Sequence, residues 1–146
     1  MQILVRYEDL SSYERDHLLN GCGPSAIELV PELIFTDACN RHDFDYLVGG
    51  PKDCGDDSTW RTRAEDAFEK RLHEAASKES WYSRWWYHWA AWTYSRATRN
   101  LGVPSFTFRD AGAVVTLATI RGEHDQLRKK NGGKRPCAMV RALRSR

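Results

Sequence analysis

Residues 35 to 46 read FTDACNRHDFDY, and the breakers on either side leave this stretch little choice but a helix. Upstream lie Gly21, Gly23, Pro24 and Pro31, which interrupt any regular pattern over 20–34, and downstream the diglycine Gly49-Gly50 stops it. Thr36 or Asp37 can cap the element, so a helix is expected over 35–48. On about three turns the segment gathers Cys39, His42 and the carboxylates of Asp37, Asp43 and Asp45. Residues four apart share a helical face, which sets Ala38, His42 and Tyr46 in line and turns Asp43 about 100° away from His42. The imidazole and the carboxylate of this neighbouring pair therefore address different targets.

The remaining pattern is also mainly helical. Residues 1 to 8 alternate weakly, as a short extended arm would. Ser11 or Ser12 offers an N-cap for a short helix ending at Asn20-Gly21. Residues 51–57, PKDCGDD, form a polar turn in which Asp53, Asp56 and Asp57 cap and solvate. A second long helix is expected over 58–76, with Ala64 or Glu65, Phe68, Leu72 and Ala75 at helical spacing. A third, WYSRWWYHWAAWTYSRATRNLG, holds five of the six tryptophans and ends at Asn100 and Gly102. Beyond Pro104, VVTLATI fits either a buried strand or part of a helix from Asp110 to Lys130, since periodicity does not decide a short apolar run. Asn131-Gly132-Gly133 breaks the chain before a last short helix that Pro136 can open.

With 146 residues the expectation is one domain, its core at about 10–102. Charge is unevenly spread: residues 1–120 hold 13 Lys and Arg against 18 Asp and Glu, whereas residues 121–146 hold 9 against 2. A basic C-terminal segment of this kind suits an anionic surface, or is simply solvated. Nucleic acid is not the expected partner, although tail binding of that kind would show as salt-sensitive retention. The opening MQILVRYEDLSS has no signal-peptide core, and nowhere do about 18 apolar residues run together, so no transmembrane segment is expected. The four cysteines, Cys22, Cys39, Cys54 and Cys137, contain no CxxC pair and permit three pairings.

A carboxylate such as Asp43 beside a glycine-rich loop suits calcium, which takes carboxylate and backbone carbonyl oxygens, and glycines let carbonyls turn inward. The loop Asn20-Gly21-Cys22-Gly23-Pro24 can supply those carbonyls if it folds back onto the helix, and a Cys22–Cys39 disulfide can hold it there. At this point a family resemblance becomes specific. C-N-R-H-D-F-D-Y with an upstream N-G-C-G loop resembles the secreted calcium-dependent phospholipases A2, above all the small bacterial and fungal branch with its C-x-R-H-D-x-x-Y helix. The likeness covers roughly residues 20 to 72.

The resemblance implies an all-α core of two antiparallel catalytic helices, 35–48 and 58–76, with a calcium-binding loop at 20–24 and the aromatic-rich helix as a third. It implies that His42 is the general base for a water attacking the sn-2 ester of a phospholipid, a task matched to an imidazole with pKa of ~6.5. Asp43 and the carbonyls of Asn20, Gly21 and Gly23 would hold Ca²⁺, and Tyr46 would support the network behind the base. The family also places an acid on the antiparallel helix to orient the other ring nitrogen, in a pattern close to A-D-x-x-F. Here the chain reads Ala64-Glu65-Asp66-Ala67-Phe68, so the matching position is Glu65. A small rotation of the helix would instead bring in Asp66. The implied partner is a phospholipid membrane surface, and the implied setting is secreted or otherwise extracytoplasmic.

Other readings compete for parts of this pattern. His-Asp pairs also mark metal phosphohydrolases, for which His17 and Asp110 would be the well-separated extra ligands. His73 and His88 fit surface or half-buried side chains. Trp81, Trp85, Trp89 and Trp92 recur along one helical face, and a stripe of that kind most often packs in the core, here against the two catalytic helices. The functional reading is that some of these indoles line an acyl-chain slot or sit at a bilayer interface, with Arg84, Arg96 and Arg99 meeting phosphates.

Overall fold

A computed structural model describes residues 1–19, 32–52, 58–101 and 106–130. The calcium-loop residues Asn20, Gly21 and Gly23, the polar turn at 53–57, and everything after Lys130 lie outside the described residues. Within them the architecture is mainly helical. A short strand β1 (Gln2–Ile3) and one turn of 3₁₀ helix (Tyr7–Asp9) lead into α1 (Ser12–Leu18). Then come α2 (Glu32–Val48), α3 (Thr59–Ser77), α4 (Trp81–Leu101), strand β2 (Val114–Val115) and α5 (Leu117–Lys130).

The N-caps fall where short polar side chains stand. Ser11 accepts from the Glu14 N–H and Glu14 reaches back to the Ser11 N–H, a reciprocal pair that opens α1. Ser58 accepts from the Trp60 N–H to open α3. Helix α2 starts at Glu32, earlier than the expected cap at Thr36 or Asp37. The extra turn places Ile34 and Phe35 on the seam with α4, where Phe35 is fully buried beside Tyr87 and Tyr94.

Helix α2 is buried on two opposite faces. Phe35, Ala38 and Cys39 pack with Phe68, Leu72 and Ala76 of α3 and with Ala90, Ala91 and Tyr94 of α4. Across the helix, Phe44 and Val48 pack with Val5, Tyr7 and Leu10 of the N-terminal arm and with Val115 and Ile120. This is why α2 shows no single apolar stripe. The core consequently reaches beyond the expected 10–102 at both ends. β1 pairs in parallel with β2, Gln2 opposite Val114 and Ile3 opposite Val115, which ties the first residues to a segment more than a hundred residues on. VVTLATI resolves into both of its alternatives: strand β2, then α5, whose start is held by Thr116 and Thr119 each accepting from the other's backbone N–H.

The tryptophan stripe is not core. Ala90, Ala91 and Tyr94 form the buried face of α4, while Trp81, Trp85, Trp89 and Trp92 lie on the opposite side, exposed. Small alanines let α4 approach its neighbours closely, so the bulky indoles are turned out rather than in.

The end of α2 is built with care. Gly49 adopts a left-handed φ of 66°, as a C-terminal glycine does, and a Cβ there would sit 1.9 Å from the Thr107 carbonyl oxygen. Residues 106–109 run alongside: the Thr107 N–H donates to the Tyr46 carbonyl at 3.2 Å, and the Gly50 N–H donates to Thr107 at 3.1 Å. Arg109 then reaches the last carbonyls of α2, Leu47 and Val48, while its guanidinium forks onto both Glu123 oxygens at 2.8 Å. Otherwise orphaned helix-end acceptors are satisfied in this way, by a nearly buried cation placed where the helix dipole favours one. Arg109→Met should destabilise the fold by about 2 kcal/mol, lowering the melting temperature by about 6 °C. An unchanged thermal midpoint in calorimetry would show that the capping contributes nothing.

Candidate active site

His42 points from α2 toward α3, its ring stacked on Phe68 at a centroid distance of 4.3 Å and tilted against Tyr46 at 4.3 Å. It is buried, 6% exposed, as is Glu65 at 1%. The helices run antiparallel, so the Tyr46–Glu65 and His42–Phe68 contacts follow one another along the same seam. His42 Nε2 lies 3.5 Å from Glu65 Oε1, a long electrostatic contact rather than a closed hydrogen bond, and Nε2 has no hydrogen-bond partner. The Tyr46 hydroxyl donates to that same Oε1. Thr98 Oγ1, from α4, donates to Oε2 at 2.9 Å.

Burial works to raise the Glu65 carboxyl, but His42, Tyr46 and Thr98 outweigh it and hold the acid below the usual glutamate range. The Tyr46 hydroxyl is pushed far above an ordinary phenol, first by burial and then by the neighbouring Glu65 carboxylate, with Arg61 opposing. Glu65 is therefore a buried carboxylate, and Tyr46 a neutral donor to it. A ring that presented Nε2–H to that carboxylate would keep its lone pair on Nδ1. The arrangement can orient an imidazole.

Of the two acids expected as the orienter, the structure brings Glu65 to His42 and not Asp66. Asp66 turns outward and binds Arg99 of α4 at 2.6 Å, alongside Glu69 at 3.0 Å. Helical geometry accounts for the difference: Glu65 shares its buried face with Phe68, Leu72 and Ala76, and the next residue is rotated by about 100°. Tyr46 is in the network, through Glu65. Asp43 sits half-buried on α2 beside His42 in sequence. As a hard oxygen donor it fits a calcium ion, while the other expected ligands, Asn20, Gly21 and Gly23, lie outside the described residues. Among the described residues no cluster of three metal-ligating side chains occurs. Cys39 is disulfide-bonded, and the other three cysteines all lie outside the described residues.

Thr98 is the residue that sequence reasoning missed. Its only signal is position: it follows Tyr94 by one turn on the buried side of α4, a polar residue on a face that otherwise packs. Asp45, the last carboxylate of α2, binds Arg71 of α3 at 2.8 Å and braces the two helices. The remaining histidines stand apart, His124 among them on α5, its Nδ1 4.0 Å from Asp125. His17 lies on exposed α1, stacked on Tyr13. His73 and His88 are half-buried between α3 and α4, their Nδ1 atoms 2.7 Å apart. Burial, then His73 and Arg84, depresses the His88 pKa.

A groove of about 450 Å³ runs between the first half of α2 and the second half of α3, with Ile34, Ala38 and Ala75 among apolar residues and Arg41, Arg71 and Lys78 among the charged ones. Comparison of the chain with protein-family models, with curated proteins and with solved structures finds no match.

Proposed function

We propose that this chain is a calcium-dependent phospholipase A2, hydrolysing the sn-2 acyl ester of glycerophospholipids at a membrane surface in an extracytoplasmic setting. The observation that carries the reading is the buried His42–Glu65 contact across antiparallel α2 and α3, made from within the CNRHDFDY helix. His42 Nδ1 takes a proton from water as the water oxygen attacks the ester carbonyl carbon. The Glu65 carboxylate faces Nε2–H and stabilises the imidazolium that forms, as orienting acids do behind histidine bases. Tyr46 and Thr98 hold the two Glu65 oxygens in place. When the carbon–oxygen bond breaks, the lysophospholipid alkoxide leaves with the proton from His42, and the fatty acid is released. Calcium held by Asp43 with the carbonyls of Asn20, Gly21 and Gly23 would polarise the ester carbonyl and stabilise charge on its oxygen.

Fatty-acid release from a fluorogenic phospholipid, compared in calcium and in chelator, tests this directly. Calcium-dependent release is expected; none from pure protein would sink the enzyme reading. Metal binding has its own readout. A tenfold excess of Ca²⁺ over its dissociation constant should stabilise the fold by about 1.4 kcal/mol, and Asp43→Asn should remove the shift. A calcium shift that survives Asp43→Asn would move the metal elsewhere.

One observation favours a second reading, a catalytically impaired phospholipase-like module that binds lipid or a protein partner. Glu65 stands where the resemblance implies aspartate, both its oxygens are engaged, and His42 Nε2 stays at 3.5 Å. Vesicle binding without fatty-acid release would support that module over the enzyme.

A further inference from the structure

We propose that the outer face of α4 is a docking surface for an anionic lipid bilayer. Trp81, Tyr82, Trp85, Trp89 and Trp92 are 83, 67, 69, 48 and 49% exposed, and helical spacing places them on one side of the element, opposite Ala90, Ala91 and Tyr94. From Trp81 to Trp92 the patch runs for about 16 Å along the axis. A soluble protein seldom leaves so much aromatic surface in water without a partner for it.

The composition of the helix identifies that partner. Apart from alanine, α4 contains no aliphatic residue before its final Leu101, whereas a coiled-coil seam with a partner helix is built on leucine, isoleucine and valine. The large apolar side chains of the exposed stripe are instead Trp and Tyr, each an apolar ring with a polar N–H or O–H, the combination that settles at the headgroup level of a membrane. Trp86 stacks on Trp89 at 5.0 Å and meets Trp85 edge-on at 6.2 Å, so the indoles are partly held in place before any contact.

Charge points the same way. Helix α4 carries Arg84, Arg96 and Arg99 and no aspartate or glutamate. Arg96 lies within the stripe, over the Trp92 ring at 5.6 Å. Neighbouring α3 has four basic and four acidic residues; of its acids, Glu65 is buried against Thr98 of α4, and Asp66 and Glu69 neutralise Arg99, which leaves Arg84 and Arg96 as the exposed cations of α4. The face is thus apolar at its centre and cationic overall, an in-plane amphipathic helix suited to anionic headgroups. The assignment deepens the phospholipase reading and rests on it for the biological setting, while its binding test needs no turnover.

Sedimentation with sucrose-loaded vesicles, in chelator to suppress hydrolysis, tests it. Full-length protein is expected to bind vesicles of phosphatidylglycerol and phosphatidylcholine with a blue-shifted tryptophan emission, and pure phosphatidylcholine more weakly. Trp85→Ala/Trp89→Ala should reduce partitioning by roughly tenfold or more. Arg96→Glu, which changes two charges at the surface, should cost about thirtyfold on anionic vesicles and little on neutral ones. All of these positions are exposed, so thermal midpoints should stay at the wild-type value. His42→Asn should bind as the wild type does, and hydrolysis of a monomeric short-chain phospholipid should survive the tryptophan changes, which separates failure of docking from failure of catalysis. The proposal is overturned if the wild type ignores anionic vesicles, if the stripe variants bind undiminished, or if light scattering shows a dimer that the double variant dissociates.

Discussion

Replacing His42 by asparagine is expected to abolish calcium-dependent fatty-acid release, by about 10³-fold or more, while leaving the circular dichroism spectrum and the calcium-induced thermal shift in place. The reasoning is local. Asparagine is smaller than histidine and polar, so the buried space between Phe68 and Tyr46 stays filled in part, and the loss of stacking costs stability only modestly. Chemistry suffers far more, because no other described histidine is placed at the Glu65 seam: His17 is on exposed α1, His73 and His88 bind each other, and His124 lies on α5 beside Asp125. Release that persists in purified His42→Asn protein would place the base elsewhere and remove the central residue of the proposed mechanism.

Glu65→Ala should produce the largest stability loss of any single change at the site, about 3 kcal/mol in urea unfolding at neutral pH. Truncation would remove the acceptor that Tyr46 and Thr98 share, leaving Thr98 only the Ser95 carbonyl at 3.0 Å, and would open a cavity beneath His42. Glu65→Gln keeps the volume and an acceptor oxygen, so it should cost less stability while still lowering turnover on the order of 10²-fold, since a neutral amide does not stabilise an imidazolium. The acid also predicts a pH dependence. Its folded pKa lies below the unfolded value, so the unfolded chain binds the proton more readily. The stabilisation from Glu65 is therefore complete above the unfolded carboxylate pKa of ~4.3 and is lost as pH falls through the lower folded value. Unfolding free energies of wild type and Glu65→Gln should converge below that point. A constant difference from neutral to strongly acid pH would mean the carboxylate is not held ionised.

The sequence carried the helical framework and much of the candidate site, for identifiable reasons. Gly49-Gly50 marked the end of α2 because a left-handed residue is required there. The stripe of Phe68 and Leu72 selected Glu65 over Asp66, because a single step along a helix rotates a side chain out of the seam. Periodicity also grouped the tryptophans of α4 correctly, yet it reports only that residues share a face, not which face is buried. The decision fell to Ala90 and Ala91, whose small size admits the neighbouring helices. Thr98 and Arg109 were invisible for a different reason. Each acts on a group distant in sequence, a carboxylate on α3 and the carbonyls ending α2, and no local pattern encodes such a meeting. The β1–β2 pairing is of the same kind.

The two-sided burial of α2 has a consequence for how its backbone opens. One face is covered by α3 and α4, the other by the N-terminal arm with β2 and α5, so no local fraying frees the middle of the helix. Amide hydrogens around His42 should exchange with solvent deuterium only when the whole domain unfolds, and their protection then measures global stability. The histidine proposed to handle protons would thus ride on the slowest-exchanging segment of the chain.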